Sequence, residues 1–299
     1  MSEPEHLIDI PPAWERITFS SLSGTLLVVG AADTGKTTFA RYLYRRLCEY
    51  HERLAFIDGD VGQATLGPPT TMTLALSEPG ERSFPPSGPR FRTFVGAVSP
   101  RSHMIPLLIG ACRLVQKARE RGVTAIVFDT TGLVDPAYGG CELKWAKVEL
   151  LRPNVVFGIQ RSSELEHLLL PLRLSRRVRV IDLSASPAVR RRDVPTRQEH
   201  RANSFRRYFE GAQIMELTWR NIAVFPVPVF TPFRLVALED RDGFTLGLGI
   251  VITSDRVSGT VSLYTPLSSV EGVDAIRVGD IVIDPQTFRD ARLSCEGPN

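Results

Sequence analysis

The stretch Thr25-Leu26-Leu27-Val28-Val29-Gly30-Ala31-Ala32-Asp33-Thr34-Gly35-Lys36-Thr37-Thr38 decides the fold. Residues 30 to 37 satisfy G-x-x-x-x-G-K-[ST] at every fixed position, and the apolar run before them reads as a buried parallel strand. In such a loop Gly30 and Gly35 let the backbone wrap an anion, so that amide N–H groups and the start of the next helix point at phosphate oxygens. Ala31, Ala32, Asp33, Thr34 and Thr38 complete the nucleotide-binding set. Lys36 is placed to reach the β- and γ-phosphates, and Thr37 to offer its hydroxyl to Mg²⁺. The reading is therefore a binder of nucleoside triphosphates.

Outward from this loop, strand-like apolar segments at 25–29, 54–58, 92–95, 123–129, 155–159 and 178–183 alternate with helical stretches at 36–50, 103–121, 142–151 and 163–170. That alternation predicts an α/β fold of the P-loop NTPase type: a mostly parallel sheet covered by helices on both faces. Such sheets bind ligands at the C-terminal ends of their strands, where Gly30, Asp58, Asp129 and Gln160 fall. Residues 77–90, dense in Pro and Gly, read as a surface loop. Beyond about residue 215 the pattern turns to short β segments at 244–252, 260–266 and 276–283, a small C-terminal β-rich module. The expected division is an N-terminal lead (1–20), a P-loop domain (21–213) and the β-rich module (214–299).

A chain of 299 residues can bury a full core without metal or disulfide help. Its four cysteines, Cys48, Cys112, Cys141 and Cys295, show no metal-ligand spacing, which points to a reducing, cytoplasmic setting. The acidic start MSEPEHLIDIPP lacks an apolar core, and no apolar run approaches the roughly 18 residues of a membrane span, so secreted and membrane-inserted classes are not expected. Net charge is +3, yet only four of the 36 basic side chains are lysines. The arginines crowd between Arg173 and Arg207, which suits a phosphate-rich partner.

Three constellations carry chemistry. Asp58-Gly59-Asp60-Val61-Gly62-Gln63 follows an apolar strand and places two carboxylates after its end; one can hold Mg²⁺ and the other accept a proton from an attacking hydroxyl. The alternative is a turn in which Asp58 caps and the glycines bend the chain. Asp129, in Phe128-Asp129-Thr130-Thr131-Gly132, ends another strand in the way that delivers a carboxylate to a metal's outer shell, or caps a turn. Asp58, Asp60 and Asp129 thus compete for metal and base roles. Arg197 and Arg201 stand four apart on an expected helix, on one face, able to clamp a transferring phosphoryl group, with Phe205 and Phe209 anchoring another face. A solvated basic face is the alternative. His103, at a strand-to-helix junction, is a candidate substrate contact or an ordinary first-turn residue. Lys144 and Lys147 flank Trp145 on a helix expected to skirt the site.

Taken in order, GAADTGKT (30–37), DGDVGQ (58–63), TTGL (130–133) and RQEHR (197–201) resemble the signature of the P-loop polynucleotide 5′-hydroxyl kinases: phosphate loop, D-x-D-x-G-Q, T-x-G-W clasp and R-x-x-x-R lid. The likeness runs from about residue 11 to 284 and is to the compact archaeal and bacterial forms, without the N-terminal β domain of the larger eukaryotic members. It implies ATP and Mg²⁺ at Lys36 and Thr37, Asp60 as general base, and Arg197 and Arg201 in a lid at about 188–209. It also implies acceptor contacts from Gln63 and from Thr130, Thr131, Gly132 and Leu133, with RNA or DNA 5′-hydroxyl ends as partners. Leu133 departs from the clasp tryptophan, on which a base would stack for about 1–3 kcal/mol. Two other classes stay open: an ATP-bound scaffold of an RNA-processing assembly, and a regulatory GTPase suggested by Asp129-Thr130-Thr131-Gly132, although no N-K-x-D or T-K-x-D element is present. A small-molecule kinase fits the arginine cluster less well.

Overall fold

The computed structural model describes residues 10–293; Cys295, the first nine residues of the expected lead and the end of the expected β-rich module lie outside that range. Along the chain come α1 (Pro12–Glu15), β1 (Gly24–Gly30), α2 (Lys36–Leu47), β2 (Leu54–Gly59), β3 (Thr71–Leu76), β4 (Arg90–Phe94) and α3 (Met104–Glu120). There follow β5 (Ala125–Thr130), α4 (Gly140–Leu151), β6 (Val155–Gln160), α5 (Glu166–Ser175), β7 (Arg179–Ser184) and α6 (Val194–Tyr208). The chain ends in β8 (Gln213–Thr218), β9 (Ala223–Phe225), β10 (Arg234–Glu239), β11 (Thr245–Asp255), β12 (Thr260–Thr265), β13 (Ala275–Ile283) and β14 (Asp290–Arg292). No helix among the described residues is long and apolar enough to cross a membrane.

Among the described residues, 10–57, 76–88 and 117–192 form one compact unit, and 58–75, 89–116 and 193–293 another. In the first, the strand order is β2-β5-β1-β6-β7. β1 pairs in parallel with β5 (Val28 beside Asp129) and with β6 (Gly30 beside Ile159), and β6 pairs in parallel with β7. Every residue of β5 is buried, and in β1 all but Gly24, which requires cover on both faces of the sheet and explains why these segments read as unbroken apolar runs. The sheet is therefore of the expected P-loop type. α2 packs through Phe39, Ala40, Leu43, Tyr44 and Leu47, a 3.6-residue rhythm, and places Arg45 and Arg46 in its last turn, where cations oppose the helix dipole. The segment 77–90 is not merely a surface loop: Phe84 folds back so that its ring lies 4.9 Å from that of Phe56 and 5.7 Å from that of Tyr44. α5 runs on through Pro171 rather than ending before it, because buried Leu168, Leu169 and Leu172 hold the turns on either side.

In the second unit β3 and β4 pair antiparallel. β3 has no counterpart in the sequence reading; its alternation of Thr71 and Thr73 with Met72 and Leu74 is fully buried on both faces, so the polar half of the pattern concealed a core strand. The C-terminal β-rich region forms a sheet of order β14-β13-β10-β11-β12-β8, with β9 added in parallel on β13. α6 is capped by Asp193, whose carboxylate accepts from the Thr196 amide at 2.9 Å, and begins with a proline in its first turn. Phe205 and Phe209 sink into a core with Leu235, Leu248, Ile281 and Ile283, which fixes this arginine-bearing helix to its own unit.

Candidate active site

The phosphate loop lies in the first unit, between β1 and α2. A Cβ on Gly30 would meet the Thr34 hydroxyl at 2.6 Å and the Ile159 carbonyl at 2.7 Å, and Gly35 sits at φ 87°, so both positions demand glycine. Lys36 is almost fully buried and donates from Nζ to the Ala31 carbonyl at 2.7 Å; Thr34 donates to the same oxygen at 3.0 Å. These bonds pre-form a cradle whose ammonium already lies inside it. The Thr37 hydroxyl donates to Asp129 Oδ2 at 2.6 Å, and Asp129 is buried at the end of β5. Two hard oxygens, one hydroxyl and one carboxylate, therefore meet directly after the loop, and this donor set fits Mg²⁺, which takes few protein oxygens beside phosphates and water.

The loop's rim holds contacts that the sequence reading did not assign. Asp33 accepts from the Arg192 backbone N–H at 3.1 Å and from its Nε at 3.2 Å, while Arg161 Nη2 donates to the Asp33 carbonyl at 2.6 Å and to that of Val189 at 3.2 Å. Residues 189–192 are thereby pinned to the phosphate loop within this unit. A strand-end arginine and an arginine triplet were the visible signals; their common partner was not. Residues 130–133 close the other side. Thr130 donates to the Val28 carbonyl at 2.8 Å, and a Cβ on Gly132 would lie 2.9 Å from Ala32 Cα. Lys144 does not skirt the site but is fully buried beneath it, donating to Thr130 Oγ1 at 2.8 Å and to the Thr131 carbonyl at 2.6 Å. Lys147 is equally buried, 4.7 Å from the centre of the Phe128 ring. Leu133 is half-buried.

The second unit holds the paired aspartates and the arginine helix. Asp58 is buried and spends both oxygens on its own loop: Oδ2 accepts from the amides of Thr65 at 2.6 Å and Leu66 at 2.9 Å, and Oδ1 from that of Asp60 at 3.3 Å. Burial pushes its carboxyl above the usual range, against the pull of the Thr65 and Leu66 amides. Asp60 is half-buried; Oδ1 accepts from the amides of Gly62 and Gln63, each at 3.0 Å, while Oδ2 has no hydrogen bond among the described residues. Gly62 must be glycine here, since a Cβ would fall 2.6 Å from the Val98 carbonyl. Gln63 donates to the Gly62 carbonyl at 2.7 Å and to the Arg197 carbonyl at 3.3 Å, which joins the aspartate loop to α6.

Arg197 and Arg201 share α6, as their spacing predicts, and Arg201 is paired within the β-rich unit. Its Nε donates to Asp290 Oδ1 at 2.8 Å and its Nη2 to Oδ2 at 3.1 Å, a two-pronged pair with both side chains largely buried. Nothing in the sequence around Asp290 marks it as this partner. His103 likewise faces the β-rich sheet: Nε2 meets Asp280 Oδ2 at 2.9 Å, and Nδ1 lies 3.1 Å from the Arg101 carbonyl. The structure thus gives His103 a tie to the β-rich sheet.

Residues 30–211 match the family described as mRNA cleavage and polyadenylation factor CLP1 P-loop, and the chain belongs to that family. It is 30% identical to a polyribonucleotide 5′-hydroxyl-kinase of Pyrococcus furiosus, across 91% of this chain and 92% of that protein. It is 32% identical to one of Thermococcus kodakarensis, across 86% and 87%. Among solved structures, Clp1p in a Clp1p–Pcf11p complex shares the fold with a TM-score of 0.68 at 14% identity, over 90% of this chain and 77% of that one.

Proposed function

We propose that this member of the CLP1 P-loop family is an ATP-dependent polynucleotide kinase that transfers the γ-phosphate of ATP to the 5′-hydroxyl end of RNA. The observation that carries the chemistry is Asp60: one oxygen is held by two loop amides and the other is left to take a proton. The names of the similar archaeal proteins favour RNA over DNA as acceptor.

In this reading Asp60 Oδ2 accepts the proton of the 5′-hydroxyl as that oxygen attacks the γ-phosphorus in line; the new P–O bond forms while the bond to the β-phosphate oxygen breaks, and ADP leaves. Lys36 exchanges the Ala31 carbonyl for phosphate oxygens. Arg197 and Arg201 close over the transferring group and neutralise its spreading charge, so Arg201 must first leave Asp290. Thr37 and Asp129 hold Mg²⁺, which when bound supplies positive charge to the phosphate oxygens. Asp58 frames the loop that aims Asp60, and Gln63 couples that loop to α6. Residues 130–133 receive the terminal nucleotide, with Leu133 offering an apolar surface instead of an aromatic ring.

Incubation with γ-labelled ATP and 5′-hydroxyl oligoribonucleotides or oligodeoxyribonucleotides tests this directly: label should appear on the oligonucleotide, faster on RNA. No transfer to either acceptor across metals and temperatures would refute it. The Arg201–Asp290 pair and Leu133 together favour one second reading, a nucleotide-bound scaffold; ATP retained without turnover on any acceptor would select it.

A further inference from the structure

At the far end of the same parallel strands lies a cleft of about 500 Å³ that the kinase reading does not use. It is lined by Arg152, Arg176, Arg177 and Arg179 over a floor that includes Pro153 and Val178. Arg152 follows α4, Arg176 follows α5, and Arg179 opens β7, so the cleft sits at the N-terminal ends of β6 and β7. The phosphate loop stands at the opposite end of the neighbouring strand β1. Six residues of β6 at about 3.3 Å each separate the two by roughly 20 Å.

Arg177 is paired with Glu149 at 3.0 Å. The guanidiniums of Arg152, Arg176 and Arg179 make no hydrogen bond or ion pair among the described residues. Arg152 and Arg176 also hold left-handed backbone conformations, φ 47° and 53°, at helix ends where glycine is the usual residue. Part of their charge answers the dipoles of the two helices that end here. Each helix C-terminus carries about half a negative charge, so two helices and Glu149 offset about two of the four positive charges. About two remain uncompensated above a small apolar floor.

We propose that this cleft is a second anion site, distinct from the phosphate loop, for a phosphate-bearing ligand. Planar guanidiniums bind phosphate oxygens in pairs, and a volume of this size admits a pyrophosphate group or one nucleotide of a strand. Free phosphate and the backbone of an RNA share that chemistry.

The test uses the full chain with its phosphate loop filled by a non-hydrolysable ATP analogue. Inorganic pyrophosphate and a single-stranded oligoribonucleotide of about 12 nucleotides serve as separate probes, the first by calorimetry and the second by anisotropy across a salt series. Against wild type, the variant R152Q/R176Q/R179Q should bind at least one probe about tenfold more weakly. If RNA is the ligand, the log–log salt slope should flatten by about 2, for three lost phosphate contacts. Loss for pyrophosphate alone assigns the site to free phosphate, and loss for RNA alone to a phosphodiester. The single variant R179E, which leaves both helix ends intact, should shift the same probe in the same direction. Equal affinities and slopes for wild type and both variants would overturn the proposal.

Discussion

In the proposed mechanism Arg201 is the residue on which stability and turnover make opposite demands, and replacing Asp290 by Asn tests whether they separate. The pair is two-pronged, with 15% and 6% of the two side chains exposed. Removing one partner of a buried pair strands the other charge at a cost of about 3–5 kcal/mol, and the residual exposure of Arg201 points to the lower end, about 3 kcal/mol. For a chain of 299 residues, at about 2.1 cal/mol/K per residue, each kcal/mol moves the melting midpoint by roughly 1.6 °C, so D290N should melt roughly 5 °C lower by circular dichroism. Its turnover, measured below that transition, should stay near wild type, because Arg201 is freed rather than lost. The double variant R201M/D290L removes both charges and should regain most of the stability, while its turnover falls about 100-fold or more for want of the lid arginine. If the double variant turns over like wild type, Arg201 is only a brace and its place in the mechanism is refuted. An unchanged midpoint in D290N would equally refute the energetic argument.

Asp60→Asn should lower kcat by about 10²–10⁴-fold with ATP affinity unchanged in equilibrium titration, since only the proton acceptor is lost. Gly132→Ala drives a methyl to 2.9 Å from Ala32 Cα; overpacking of about 1–3 kcal/mol against the phosphate loop should weaken ATP binding by roughly 5- to 150-fold, read by nucleotide titration. Leu133→Trp should lower the KM for an RNA acceptor, by about 1–3 kcal/mol of added stacking, and leave the KM for ATP alone; an unchanged acceptor KM would show that no base reaches this position. Lys144→Met strips donors from Thr130 Oγ1 and the Thr131 carbonyl inside the protein, at about 1–3 kcal/mol for each acceptor left unsatisfied, and chemical denaturation should register the loss.

By itself the sequence determined the α/β class, the phosphate loop and the α6 arginines, because each rests on local covalent facts. Gly30 and Gly35 permit backbone that other residues refuse, unbroken apolar runs need a sheet covered on both sides, and a four-residue spacing puts two side chains on one helix face. It left the three aspartates undivided. Only folding gave them different surroundings, since the loop at 60–66 turns amides toward both oxygens of Asp58 but toward one oxygen alone of Asp60. Tertiary structure also decided what pattern hides. β3 reads as polar because two of its buried residues are threonines, and Lys144 reads as skirting the site until Thr130, at the end of β5, and Thr131 supply acceptors for its ammonium. Asp290 stands 89 residues from Arg201, and Asp33 stands 159 from Arg192. Partners so far apart are brought together by chain topology, and no periodicity or spacing records which charge will meet which.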